Sequence, residues 1–169
     1  MNQIEVQVIF SSPGQPDKVQ IQQWVDAALQ DYGKDTEIVV RIVDVHESAQ
    51  LNKQYRHKPG PTNILSFPAD IPADVGLNLL GDLVVCAPVV EREAVEQQKM
   101  LTHHWAHIII HGVLHLLGHD HLDEAEAEIM ENKEINILQT LNIKNPYLQV
   151  HKPWATTNLP VAAPNGAVG

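Results

Sequence analysis

Three histidine residues, His111, His115 and His121, have the spacing expected of ligands to a single metal ion. In an α-helix each residue advances the chain by about 100°, so His111 and His115 lie one turn apart on the same face. Gly118 can take the left-handed conformation that ends a helix, and the resulting turn brings His121 back toward the other two imidazoles. Three neutral imidazoles leave a tetrahedral Zn²⁺ one open position, where the pKa of water falls from about 16 to about 7. The pattern therefore predicts about one Zn²⁺ ion per chain, in a site open to catalysis.

The same spacing occurs in the metzincin metalloproteases, but this chain differs from them at a catalytic position. Gly112 stands where those peptidases carry the glutamate that takes a proton from the metal-bound water. No neighbouring residue of the turn supplies that carboxylate, so ordinary proteolysis is disfavoured. A zinc-dependent peptide or amide hydrolase that takes its base from elsewhere in the fold stays an alternative.

A second alternative is a metal-stabilised binding module without catalysis, which would close its metal shell with a fourth protein ligand. Cys86, the only cysteine, is predicted to lie in a buried strand and is not expected to be that ligand. His107 precedes His111 by one turn and either hydrogen-bonds a ligand or packs as an ordinary helical histidine. Asp120 either orients a ligating imidazole or serves as a turn residue. His103 and His104 are expected to face solvent near the helix start.

Length and composition predict a single domain that stays in the cytoplasm. The chain has 169 residues, 44% of them hydrophobic, which is enough for one substantial core. The single cysteine suits a reducing compartment. We see neither a signal-like N-terminus nor an apolar run approaching the roughly 20 residues that span a bilayer, so no membrane partner is expected. Residues 1–150 are the predicted metal-dependent hydrolase domain, and residues 151–169 are a predicted disordered tail.

Hydrophobic periodicity predicts an α+β fold in which a mixed sheet of about four strands is packed by about five helices. The helix that carries His111 and His115 is apolar on nearly every side, so it is expected to be a buried, metzincin-like metal helix. Thr102 is its predicted N-cap, and Asp123 with Glu126 predicts a capping box for the last helix. The predicted strands cover residues 4–10, 37–43, 63–67 and 82–86, and the other helices cover residues 18–32, 47–55, 88–99 and 123–141.

A cluster of basic side chains precedes the third predicted strand. Lys53, Arg56, His57 and Lys58 lie close together in a chain whose net charge is −10. An arginine beside a hydrolytic metal can hold a phosphate through two parallel hydrogen bonds and stabilise charge in the transition state. Composition alone favours a solvated basic helix end. Ser66 lacks the glycines of a nucleophile elbow and is interpreted as a strand serine.

These motifs resemble the YbeY family of bacterial rRNA maturation factors, which are metal-dependent endoribonucleases acting on single-stranded RNA. The resemblance extends over most of the chain before about residue 151. It is carried by LNKQYRHKPGPTNILSFP at residues 51–68, GDLVVC at residues 81–86, and HWAH at residues 104–107 running into HGVLHLLGHDH at residues 111–121.

The resemblance implies that His111, His115 and His121 bind zinc, that His115 and Arg56 are catalytic, and that Arg56 and Lys58 contact RNA phosphate. It also implies a role in maturing the 3′ end of small-subunit rRNA and in ribosome quality control, with no DNA substrate. Because the net charge of −10 opposes strong free-standing RNA binding, we expect the protein to meet its RNA on the ribosome. Many family members carry Asp at positions 59 and 63 and Tyr at position 119. This chain has Pro59, Asn63 and His119 instead, so any role of those Asp side chains does not carry over.

Overall fold

Four strands and five helices make up the part of the chain that our computed structural model describes, residues 2–70 and 78–148. The strands are β1 (Gln3–Val8), β2 (Glu37–Val43), β3 (Ile64–Pro68) and β4 (Leu79–Cys86). The helices are α1 (Lys18–Ala28), α2 (Val45–Arg56), α3 (Ala87–Glu96), α4 (Leu101–Leu116) and α5 (Glu124–Thr140). The predicted α+β class is confirmed. The predicted disordered tail at residues 151–169 lies outside the described residues.

The four strands form one mixed sheet in the order β1-β2-β4-β3. The β1–β2 and β2–β4 pairs are parallel, whereas β3 runs antiparallel to β4 with Ser66 opposite Leu83. Helix α4 packs against β3, where the Ser66 hydroxyl donates a 3.2 Å hydrogen bond to the Gly112 carbonyl. The antiparallel edge strand therefore lies beside the helix that carries two of the predicted ligands.

Helix α4 is the central helix of the fold. Every residue from position 104 to position 116 is buried, which confirms the prediction from its apolar composition. Large side chains such as Trp105, Ile108 and Ile109 are completely inaccessible to solvent. Because such interiors pack densely, α4 offers its histidines little freedom to move.

Several helix boundaries differ from the predicted ones. Helix α4 begins at Leu101 with Met100 as its N-cap, so the prediction that Thr102 caps this helix was wrong. Helix α3 ends before residue 97, because the left-handed Gln98 turns the chain into α4. Asp123 does cap α5, and its carboxylate accepts a 2.8 Å hydrogen bond from the Glu126 amide. Within the described ranges, we find no helix with the length and apolar character needed to cross a membrane.

Candidate metal centre

The three predicted metal ligands come together at the C-terminal end of α4. One possible ligand atom from each of His111, His115 and His121 lies within 4.8 Å of the others. The Nε2 atoms of His111 and His115 are 2.9 Å apart. His111 and His115 are buried, whereas His121 is half-buried. The fold thus creates a compact three-nitrogen group, and metal binding by it stays a prediction.

The turn after α4 brings His121 to the helix that carries the other two histidines. Gly118 has a φ of +98°, a value that favours glycine, and its amide donates a 3.0 Å hydrogen bond to the His115 carbonyl. The His119 amide then bonds back to the Leu114 carbonyl at 3.0 Å, which reverses the chain. Asp120 accepts a 2.7 Å hydrogen bond from the His121 amide through its side chain. The side chain of Asp120 therefore binds the backbone of the loop that carries His121.

Burial keeps two of the candidate ligands, His115 and His121, neutral. It lowers the pKa of His115 to about 3, and repulsion from His111 and His121 contributes in the same direction. Burial also lowers the pKa of His121, with His111 again adding to the effect. His121 Nδ1 is buried and has no hydrogen-bond partner among the described residues. Neutral imidazoles with available lone pairs are the form that binds Zn²⁺, so the residues present fit such an ion.

A buried carboxylate that we did not predict lies beside this group. Glu134 on α5 is completely buried, and its Oε2 accepts a hydrogen bond from His111 Nδ1. Its Oε1 accepts hydrogen bonds from His107 Nε2, at 2.8 Å, and from the Tyr147 hydroxyl. Burial alone would raise the pKa of Glu134, but His111 and His107 outweigh that effect and hold it below its usual range. Glu134 is therefore ionised.

The sequence offered one signal for Glu134. It lies between Met130 and Leu138 at intervals of four residues, and these three form the buried stripe of α5. A glutamate on an otherwise apolar stripe indicates a buried polar partner. The buried stripe of α5 therefore indicates the carboxylate that contacts a candidate ligand, whereas the residues around the histidine motif do not.

The prediction that His104 faces solvent was wrong. Its ring is fully buried, and its Nε2 donates a 2.9 Å hydrogen bond to Glu93 on α3. Asn63, at a position where many family members carry Asp, is also buried and donates a 3.2 Å hydrogen bond to Glu93. Helix α3 therefore covers the start of α4 with a polar contact. His103 is half-buried, and His107 lies inside the cluster around Glu134.

Gly112 faces the sheet rather than the candidate ligands. A Cβ atom at this position would lie 2.5 Å from Ile64 Cδ1 and 2.9 Å from Leu83 Cδ2, both fully buried. The position that carries the general base in metzincins is therefore occupied by close helix-to-sheet packing. Ser66, whose hydroxyl bonds the Gly112 carbonyl, is part of that packing as a strand serine.

Arg56 is the last residue of α2 and lies within electrostatic range of the candidate metal group. Burial lowers its pKa while the carboxylate of Asp120 opposes this change, and its positive charge in turn contributes to lowering the pKa of His121. The left-handed His57, at φ +59°, ends the helix directly after it. The charge of Arg56 therefore acts on the loop that carries the third candidate ligand.

A basic hollow of about 590 Å³ adjoins Arg56 on α2 and the loop that follows it. Lys53 and Lys58 give it a positive charge, His57 also lines it, and its lining contains no acidic residue among those the structure describes. This concentration of positive charge is local, since the chain as a whole carries a net charge of −10. The hollow is lined by Ala49, Gln50, Lys53, His57, Lys58, Pro59 and Gly60.

Fold and site together define an α+β protein with three histidines placed so that they could hold one metal ion, and comparison with known proteins identifies its family. A family model described as Endoribonuclease YbeY matches residues 9–142. A protein named Endoribonuclease YbeY from Methylococcus capsulatus is 56% identical over 140 residues, covering 83% of this chain and 92% of the relative. Another of that name, from Colwellia psychrerythraea, is 51% identical over 150 residues, covering 86% of this chain and 97% of the relative. The chain therefore belongs to the endoribonuclease YbeY family, as its motifs predicted.

The fold has a solved counterpart in the solution structure of TM1509 from Thermotoga maritima. The TM-score is 0.53 with 23% sequence identity, and the match covers 81% of this chain and 91% of that one. This likeness supports the fold alone.

Proposed function

We propose that the protein is a zinc-dependent, single-strand-specific endoribonuclease that matures the 3′ end of small-subunit rRNA and takes part in ribosome quality control. Family membership makes it an endoribonuclease. In the proposal, His111, His115 and His121 hold about one Zn²⁺ per chain, and Arg56 holds a backbone phosphate. The observation that carries the proposal is the compact group of His111, His115 and His121 nitrogens in a chain that matches the endoribonuclease family model over residues 9–142. We assign the activity to residues 1–150.

The candidate ligands favour zinc over harder cations, because three imidazole nitrogens suit Zn²⁺ whereas Mg²⁺ and Ca²⁺ prefer oxygen ligands. When bound, the ion would act as a Lewis acid and lower the pKa of coordinated water to about 7. The protein sets the protonation and the orientation of the candidate ligands. Burial keeps His115 and His121 neutral. The carboxylate of Glu134 fixes the orientation of the His111 ring by accepting a hydrogen bond from His111 Nδ1.

Arg56 is suited to hold the scissile phosphate. Its guanidinium can make two parallel hydrogen bonds to phosphate oxygens and offset the charge that develops when the phosphorus becomes pentacoordinate. The attacking group is either water or the ribose 2′-hydroxyl, and Arg56 stabilises the same developing charge in both cases. Lys58 and the basic hollow beside it would bind the neighbouring phosphates, because the hollow carries three basic side chains.

We propose the ribosome, or its small subunit, as the partner that brings the enzyme to its RNA. A net charge of −10 gives little non-specific affinity for RNA outside the basic hollow. Contacts with ribosomal components would add to that local affinity by raising the effective concentration of rRNA. The proposed location is accordingly the cytoplasm.

The test is cleavage of rRNA with an unprocessed small-subunit 3′ end, with and without ribosomes. Arg56→Ala should lose activity on the order of 10²–10³-fold while keeping its zinc, as expected for loss of one charge-stabilising donor. Arg92→Ala is the matched control, because it removes the same charge from an exposed position on α3. Wild-type activity in Arg56→Ala would contradict the phosphate site. Failure of the zinc-loaded wild type to cleave any single-stranded RNA, alone or with ribosomes, would contradict the nuclease proposal itself.

A further inference from the structure

We infer that Glu134 is a positioning residue of the metal centre, which orients the ring of His111. We also infer that Tyr147, in the segment after α5, holds the carboxylate of Glu134 in place through a hydrogen bond. This inference rests on the proposed metal site at His111, His115 and His121. It adds two residues and one chain segment to that site, none of which is a metal ligand in the proposal.

The carboxylate of Glu134 makes three hydrogen bonds in the protein interior. Oε2 accepts from His111, and Oε1 accepts from His107 and from Tyr147. Burying a charge is costly unless such donors surround it, and an apolar side chain would fill the stripe between Met130 and Leu138 without that cost. A role in orienting His111 would explain why a charged glutamate, rather than an apolar residue, lies at position 134.

The bond from His111 Nδ1 decides which ring nitrogen faces the ligand group. Because Nδ1 donates a hydrogen bond to Glu134, Nε2 is the ring nitrogen that is left to offer a lone pair to a metal ion. His111 Nε2 is the atom that lies 2.9 Å from His115 Nε2, on the side where a shared ion would bind. A carboxylate that contacts a ligating histidine in this way fixes the tautomer and ring orientation and makes the nitrogen more basic.

Tyr147 links this arrangement to the chain beyond α5. Its hydroxyl bonds Glu134 Oε1 and lies 3.2 Å from His107 Nε2, and its ring packs edge-on against His107 with centroids 5.4 Å apart. The half-buried phenol therefore holds both His107 and the carboxylate that orients His111. The segment after α5 is thus part of the metal centre.

The experiment measures zinc affinity by competition with a chromophoric chelator, using full-length protein. Glu134→Gln keeps the shape of the side chain and removes its charge, and it should weaken zinc binding about 10- to 100-fold. Tyr147→Phe should weaken it in the same direction by a smaller factor. Glu128→Gln makes the same charge change at an exposed position of α5 and should leave the affinity unchanged. Nitrogen NMR of the metal-free protein gives a second readout, in which the Nδ1-protonated form of His111 predominates in the wild type but not in Glu134→Gln.

The outcomes separate this inference from the proposed function. If Glu134→Gln binds zinc as tightly as wild type while His115→Ala has lost it, the role of Glu134 is refuted and the metal site stands. If His115→Ala also binds normally, the proposed metal site fails. If Glu134→Gln does not fold, Tyr147→Phe decides, since unchanged zinc affinity in that variant would overturn the inference and a loss would support it.

Discussion

Replacing Gly112 by alanine tests why this chain lacks the peptidase base. The new methyl group would lie 2.5 Å from Ile64 Cδ1 and 2.9 Å from Leu83 Cδ2, closer than carbon atoms pack. Ile64 and Leu83 are fully inaccessible to solvent and belong to the same core cluster as α4, so a shift of either side chain would press on other core residues. The substitution therefore overpacks the interface between α4 and the sheet.

The expected magnitude follows from two opposing effects. Overpacking a dense core costs about 1–3 kcal/mol, whereas replacing glycine by alanine inside a helix recovers about 1 kcal/mol. We expect Gly112→Ala to lower the free energy of unfolding by about 1 kcal/mol, measured by urea denaturation. Gly112→Glu would bury an unpaired carboxylate against the same two side chains, so it should destabilise the protein far more and create no useful protease.

A double mutant identifies the cause. Ile64→Val removes the Cδ1 atom nearest to the new methyl group, so Gly112→Ala should cost less in that background than in the wild type. The difference should be at least about 0.5 kcal/mol, the usual scale for residues in contact. An identical cost in both backgrounds, or a more stable Gly112→Ala protein, would refute the packing argument.

Three further predictions concern acid stability, helix capping and substrate class. In chelator-treated protein, the pKa of His115 is about 3 in the folded state and about 6.5 in the unfolded state. When the pH falls from 7 to 5, only the unfolded chain therefore gains a proton at His115. This protonation should lower the free energy of unfolding by about 2 kcal/mol. Urea titrations of wild type and His115→Gln at both pH values check this, and equal pH dependence would contradict it. Asp123→Ala removes only the N-cap of α5, so it should lower the free energy of unfolding by about 1 kcal/mol in the same assay and leave zinc affinity unchanged. A variant as stable as the wild type would refute this. Zinc-loaded protein should cleave single-stranded RNA and leave casein intact, and robust casein cleavage would favour the peptide hydrolase.

Local patterns predicted the parts of the site that depend on sequence neighbours. Helical periodicity puts His111 and His115 one turn apart, and the glycine at position 118 marks the turn that the structure contains, with φ +98°. Strand β2 was also predicted with the bounds it has, residues 37–43, because isoleucine and valine dominate one short segment. These features need no knowledge of how distant segments pack.

The features of the site that we missed depend on tertiary packing. Glu134 reaches His111 only because α5 folds back along α4, and the sequence between them does not specify that contact. His104 was expected to face solvent because the start of a helix is often exposed, but Glu93 of α3 covers it and binds its ring. The position of Arg56 relative to His121 likewise depends on α2 lying near the turn after α4, and family resemblance rather than spacing predicted it.

The most direct test of the central claim is the rate of single-stranded RNA cleavage as zinc is returned to chelator-treated protein. We expect activity to be lost on chelation and to rise with added zinc until about one ion per chain is bound. His121→Ala should regain no activity at that zinc concentration, whereas His103→Ala, altered at a half-buried histidine on the same helix as His111, should behave like the wild type. Cleavage that survives complete removal of metal, or that returns equally in His121→Ala, would contradict the proposal that these three histidines hold the catalytic ion.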